Sequence, residues 1–222
     1  KTLGGRDVIV TENKSLLIWQ EKDKKLKEMY SPDIKIGDCV PVTQDLCDPP
    51  IFKEYIPYSG IRNNTEISDK FILNKQNGIF IGLFLAEGNV HNSHITITNN
   101  NECIRNFVKS WFDSYNINYS EITRVNKLKG TTTTVTGNSC IMSEFITRLL
   151  GSGAKNKYVP DEAFIAPKEF VIGLLNGYFS GDGYISKNSI EASSASKRLI
   201  EGINMLCSRL GIFGKVFTTI MK

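Results

Sequence analysis

Histidine is nearly absent from this chain, with two residues in 222, and none of the five cysteines, at 39, 47, 103, 140 and 207, forms a CxxC pair. Structural zinc sites draw their thiolate and imidazole ligands from such pairs, so a zinc site is not expected. Unpaired cysteine usage points to a reducing, intracellular setting rather than a disulfide framework. Long apolar runs are missing as well. IFIGLFLA at 79–86 falls far short of the roughly 20 residues needed to span a bilayer, and KTLGGRDVIV is too charged for a secretory leader. The expectation is a soluble globular protein without a membrane partner. Charge is also modest, at +4 overall, but residues 1–50 hold 8 Lys/Arg against 9 Asp/Glu whereas residues 51–222 hold 19 against 14. The later part is the basic part, which is compatible with a polyanionic partner and also ordinary for a globular domain.

What the chain does have is a change of pattern. DVIVTENKSLLIW and IKIGDCVPV predict short strands in a β-rich segment over 1–50, separated by a charged and exposed QEKDKKLKEMY. DLCDPP and IFKEYIPYSGIRNN predict a linker over 51–68, because consecutive prolines exclude helix and strand interiors alike. Beyond it the sequence matches itself without gaps at a shift of 95 residues. Gly78 falls on Gly173, Gly82 on Gly177, Ala86 on Gly181, Glu87 on Asp182 and Gly88 on Gly183, and later Ile95 falls on Ile190 and Val108 on Ile203. Two copies of one α+β unit are predicted, at 69–165 and 166–222. Each has a helix, two short strands, an amphipathic helix (102–115 and 196–209) and a further strand. The second copy ends at the counterpart of Lys127, leaving about 33 residues without equivalents. The expectation is therefore a fragment, or a chain seen incompletely.

Glycine every fourth residue inside a predicted helix costs roughly 0.5–1 kcal/mol per position relative to alanine. Gly78, Gly82 and Ala86 in one copy, and Gly173, Gly177 and Gly181 in the other, each form a stripe along one helix face. Close backbone packing of the two helices about a pseudo-twofold axis would compensate. If they run parallel, Glu87 and Asp182 reach the same end, each followed by a glycine suited to the left-handed position that ends a helix. Two carboxylates at helix C-termini repel each other and the dipoles. A divalent cation reverses that balance, and carboxylate and carbonyl oxygens suit Mg²⁺, with Mn²⁺ an alternative. The carbonyls of Ala86 and Gly181 are candidate further ligands, and the chemistry that follows is phosphodiester hydrolysis.

At these residues the chain resembles the LAGLIDADG homing endonucleases, with FIGLFLAEG at 80–88 and LNGYFSGDG at 175–183 in place of the two signature motifs. The resemblance covers roughly residues 70–222 and implies that Glu87 and Asp182 bind Mg²⁺ and drive double-strand cleavage. Leu85 and Ser180 stand where the eponymous motif has its other acid. GAKNKYVP at 153–160 resembles a block of intein-borne members and puts Lys157 at the position of an auxiliary catalytic lysine; Lys155 and Lys157 read otherwise as solvated charges or phosphate contacts. GRDVIVTENKSLLI resembles part of an intein splicing (Hint-like) domain, with Thr11 in place but Lys14 where that family has histidine. Lys14, the missing initial Cys or Ser and the missing terminal His-Asn all argue against self-splicing.

The resemblance implies strands that form a saddle in the DNA major groove. His94, Thr96 and Thr98, then Arg124, Lys127 and Lys129, are the outward candidates in the first copy. Lys155 follows them, and Lys187, Asn188, Ser193 and Lys197 are candidates in the second. The leading expectation is a monomeric, intein-derived, site-specific double-stranded DNA endonuclease. The alternatives are a degenerate element that binds DNA without cutting it and an RNA-splicing maturase.

Overall fold

In the computed structural model, which describes residues 1–43, 46–62, 65–126 and 130–219, the chain divides into two units, residues 1–47 with 207–222, and residues 48–206. Among the described residues no helix is long and apolar enough to cross a membrane. In the smaller unit β1 (Ser15–Gln20) pairs antiparallel with β2 (Lys25–Tyr30). The charged stretch expected between strands thus supplies the second strand itself. IKIGDCV forms no strand. A short 3-10 turn at Ser31–Asp33 and a left-handed Gly37 lead it to a main-chain bond between Trp19 N–H and the Cys39 carbonyl. Val216 N–H likewise donates to the Gly4 carbonyl, and the Arg6 guanidinium lies 4.1 Å from the Phe213 ring centre. The strand expected after the second amphipathic helix is absent among the described residues, which run irregularly from 212 to 219.

The larger unit starts where a linker was expected. β3 (Tyr55–Arg62) and β4 (Thr65–Ile72) form an antiparallel hairpin that pairs Pro57 with Lys70. Its buried face reaches α3 (Cys140–Leu150), where Tyr58 and Phe71 each lie within about 5 Å of the Phe145 ring and Gly60 leaves room for Ile141. The side chain of Asn74 caps α1 (Lys75–Glu87) by accepting from Asn77 N–H. β5 (Gly88–His91) and β6 (His94–Thr98) follow, then α2 (Glu102–Ser114), β7 (Tyr119–Asn126) and β8 (Gly130–Asn138). These strands make one antiparallel sheet in the order β5-β6-β8-β7. Ile95, Ile97 and Val135 point into the core, where Gly137 meets Phe112 of α2. Asn77 anchors this half. It donates to the Ile72 carbonyl and the Tyr115 hydroxyl and accepts from the Trp111 indole at 2.8 Å, so all the polar groups buried there are satisfied.

The second copy is α4 (Lys168–Asp182), β9 (Gly183–Ile185), β10 (Ile190–Ala192) and α5 (Lys197–Arg209). Among the described residues β10 pairs only with β9. Its Ile190 is accordingly 65% exposed, whereas the counterpart Ile95, under a four-stranded sheet, is fully buried.

The helices α1 and α4 pack through their main chains. A Cβ built on Gly78 would lie 2.3 Å from the Phe170 carbonyl oxygen, and one on Gly173 would lie 2.3 Å from that of Lys75. Gly82 meets the Leu174 oxygen at 2.0 Å and Gly177 the Ile79 oxygen at 2.1 Å. In each pair the two contacts are related by the same 95-residue shift, and partner numbers rise together along both helices. The pair is parallel and pseudo-twofold. Gly88 and Gly183, expected in the left-handed region, instead have φ of −78°. Glycine is needed there for space: a Cβ would strike the Phe84 ring at 2.3 Å or the Phe179 carbonyl oxygen at 2.1 Å.

Candidate metal and nucleic-acid site

Because the helices run parallel, their C-terminal ends coincide. A Cβ on Gly181 would lie 2.5 Å from Ala86 Cβ and 3.4 Å from Glu87 Cγ, so the last turns of α1 and α4 touch where the two acids emerge. Burial holds the Glu87 carboxyl above its usual range; the hydrogen bond from Asn99 opposes this, the Asp182 charge adds to it and the Lys157 charge opposes it. Burial also raises Asp182, against the attraction of Lys157. Both groups are half-buried acids that lack sufficient positive charge.

Asn99 was not singled out from the sequence. It ends the short β5–β6 hairpin, whose return brings the end of β6 back to the end of α1. Its amide donates to Glu87 Oε2 at 2.7 Å while its own oxygen accepts from Asn101 N–H at 2.8 Å, which fixes which way the amide faces. The 95-residue counterpart is Ser194, whose hydroxyl accepts from Ser196 N–H. Among the described residues only the first copy therefore braces its acid with an amide, and a gapless repeat match carries no signal for such a difference.

Lys157 stands between the two acids electrostatically and is only 6% exposed. Its loop leaves α3 through Gly151, at φ 78°, where a Cβ would strike the Asn156 oxygen at 2.2 Å. Tyr158 N–H bonds the Leu150 carbonyl, and the Ser196 hydroxyl donates to the Lys157 carbonyl. The ammonium then donates to the Phe84 and Leu85 carbonyls at 2.8 and 3.0 Å, a cation on the negative end of α1. It is neither a solvated loop charge nor open to solvent. Burial lowers its pKa from 10.5 to about 8, against the attraction of Asp182 and then Glu87.

This sets a pH dependence. Between about pH 8 and 10.5 the unfolded chain binds a proton that folded Lys157 has released, so its contribution to stability rises with pH across that window. Below pH 8 both states are protonated and the full cost of burying the charge applies. Lys157→Met is expected to abolish this component, worth up to about 3 kcal/mol. Denaturant midpoints of both proteins from pH 7.5 to 10 check it; parallel curves refute it.

Other expected site residues lie at the surface. His94, Thr96 and Thr98 alternate with buried Ile95 and Ile97 on β6, and Arg124 is exposed on β7. His94 hydrogen-bonds Asn138, and the Thr98 and Thr134 hydroxyls pair at 2.8 Å. Lys155 is exposed beside the Lys157 loop, Lys187 and Asn188 occupy the β9–β10 turn, and Ser193 is exposed before α5. Lys197, at the start of α5, pairs with Glu201 at 3.4 Å. Lys127 and Lys129 lie outside the described residues. Thr11 and Lys14, both exposed, share a turn in which Lys14 N–H bonds the Thr11 carbonyl.

Among the described residues no cluster of three or more His, Cys, Asp or Glu could cage a metal ion. The donors at the helix ends are two carboxylates with carbonyls of the last helical turns, such as those of Ala86 and Gly181, which the intrahelical ladder leaves without a partner of its own. Hard oxygens in that small number fit Mg²⁺, which retains waters and shares phosphate oxygens.

Residues 169–221 match the LAGLIDADG-like domain. Among relatives, the chain is 32% identical over 230 residues to DNA-directed RNA polymerase subunit Rpo1C of Methanocaldococcus jannaschii, covering 96% of this chain and 26% of that protein. It is 27% identical over 224 residues to the replication factor C small subunit of the same organism, covering 100% of this chain and 11% of the other. A 64-residue stretch is 44% identical to its probable translation initiation factor IF-2, covering 28% of this chain and 6% of that one. The chain thus spans about a quarter or less of the length of these relatives. Among solved structures, I-DmoI in complex with DNA and Ca has 12% identity, covers 64% of this chain and 74% of its own, and gives a TM-score of 0.48. I-WcaI bound to its DNA recognition sequence has 15% identity, coverage of 61% and 67%, and a TM-score of 0.42. Residues 169–221, the stretch that matches the LAGLIDADG-like domain, hold the second glycine stripe and Asp182.

Proposed function

We propose that this chain is an intein-derived, site-specific endonuclease that cleaves double-stranded DNA with Mg²⁺. The observation that supports the reading is the meeting of the two helix ends at Ala86, Glu87 and Gly181, where Asp182 follows Gly181 in the chain. Glu87 and Asp182 hold the cation, with the Ala86 and Gly181 carbonyls as further oxygen donors. When bound, the cation polarises the scissile phosphate. Lys157 fixes the end of α1 through two carbonyls and places positive charge near the developing oxyanion; Asn99 orients Glu87. DNA lies along the open strand face, with His94, Thr96, Thr98 and Arg124 in the groove. Lys155, Lys187, Asn188, Ser193 and Lys197 extend that contact.

The relatives support the intein origin. An RNA polymerase subunit, a replication factor C small subunit and a probable translation initiation factor bear unlike names, yet each matches this chain over a small fraction of its length. A segment common to such proteins is expected of a mobile insert rather than of their separate duties. Lys14 lacks the neutral imidazole that the resembling splicing motif uses, so splicing is not part of the proposal.

Incubation with a plasmid library and Mg²⁺ tests the reading, with double-strand cuts at one recurring sequence as the expected result. Binding without calcium- or magnesium-dependent chemistry would instead favour the non-cleaving element, in keeping with the decayed Lys14 motif. Binding to duplex DNA is also expected to fall steeply between 50 and 200 mM salt, by roughly 10³-fold if about six phosphates are contacted. A salt-independent affinity overturns the groove-binding part.

A further inference from the structure

The outward face of the four-stranded sheet has an unusual chemistry for a surface that reads DNA. Register sets its rows: His91, His94 and Asn138 lie in one, Asn89, Thr96, Thr136 and Ser120 in the next, Thr98, Thr134 and Ile122 in a third, and Thr132 beside Arg124 in a fourth. Among the described residues of this face Arg124 is the one arginine or lysine. Guanine is read in the major groove chiefly by bidentate arginine or lysine, adenine by asparagine or glutamine, and the thymine methyl by apolar groups, including that of threonine. The face is therefore poor in guanine readers and rich in groups suited to adenine and thymine. Pairing of the Thr98 and Thr134 hydroxyls uses one of their two hydrogens internally, which shifts their contribution toward the methyl groups. Ile122, 49% exposed in the same row, adds another apolar contact.

We propose that the DNA half-site facing this sheet is A·T-rich, with at most one G·C pair, opposite Arg124. The inference rests on the endonuclease reading above and adds the class of sequence recognised. Its length follows from β8, where Thr132 to Asn138 spans about 20 Å at 3.3 Å per residue, or about six base pairs at 3.4 Å each.

Selection of bound duplexes from a randomised library with the full chain, in Ca²⁺ so that no cutting is required, tests it. The half-site is identified with Thr134→Arg, which is expected to enrich guanine at least about five-fold at one position within an A·T-rich block; Asn89→Arg serves as an independent second variant. Two or more G·C pairs in the block that responds, or a consensus that neither variant alters, overturns the inference while leaving DNA binding intact. Failure to retain any duplex overturns the endonuclease reading itself.

Discussion

Glu87→Gln and Asp182→Asn are each expected to lower DNA cleavage by roughly three orders of magnitude, because on the proposed reading each removes an anionic oxygen from the point where the cation would sit. A loss of activity alone would not separate a ligand from a structural residue. The electrostatics of the pair do. Burial holds both carboxyls above their usual range, so the folded chain binds protons more readily than the unfolded chain as pH rises through the carboxylate range. Stability is lost across that window, and at neutral pH the cation-free protein carries two disfavoured charges. A neutral amide at either position relieves that strain. The cation-free variants are therefore expected to melt at the same temperature as the wild type or higher, while Ca²⁺ binding measured by calorimetry is lost. Wild-type cleavage by either variant, or a marked fall in melting temperature, contradicts the assignment.

Gly82→Ala is expected to destabilise the fold by at least about 3 kcal/mol. Alanine in a helix interior normally gains roughly 0.5–1 kcal/mol over glycine. Here the new methyl would lie 2.0 Å from the Leu174 carbonyl oxygen and 2.6 Å from the Tyr178 nitrogen, both main-chain atoms that move only if α4 moves. Overlap therefore decides the sign. Gly177→Ala should match it, since its Cβ would meet the Ile79 oxygen at 2.1 Å. Gly4→Ala, whose nearest contact would be at 3.9 Å, should change stability by less than about 0.5 kcal/mol. Urea midpoints of the three variants test this; equal midpoints would mean that the helices do not pack through their glycines.

These two outcomes rest on the parts most legible in the sequence. A glycine stripe is visible because small residues at every fourth position repeat without a gap, and the contact they make is set by main-chain geometry alone. Elements that follow the usual rules less plainly were harder to read. β2 consists of KLKEMY, and a hairpin strand exposed on both faces has no need of apolar alternation. The consecutive prolines Pro49 and Pro50 suggested a linker, yet the chain enters a hairpin soon after them and even takes in Pro57, because a two-stranded hairpin has outer edges where the missing N–H of proline is tolerated. Lys157 could be located by its motif but not by its environment, because nothing in the local sequence indicates that its head lies under the end of α1. Asn99 depends on a tertiary return of the chain, which sequence spacing does not encode.

The α1–α4 contact has a consequence for how freely the two copies can diverge. A seam made of carbonyl oxygens and amide nitrogens places few demands on the identity of flanking side chains. Substitutions elsewhere on either helix leave the juncture unchanged while its six small positions persist. Asn77, Trp111 and Tyr115 could thus arise in one copy without any matching change in the other. Hybrids that join the front half of one relative to the back half of another should consequently assemble whenever both donors keep their glycines.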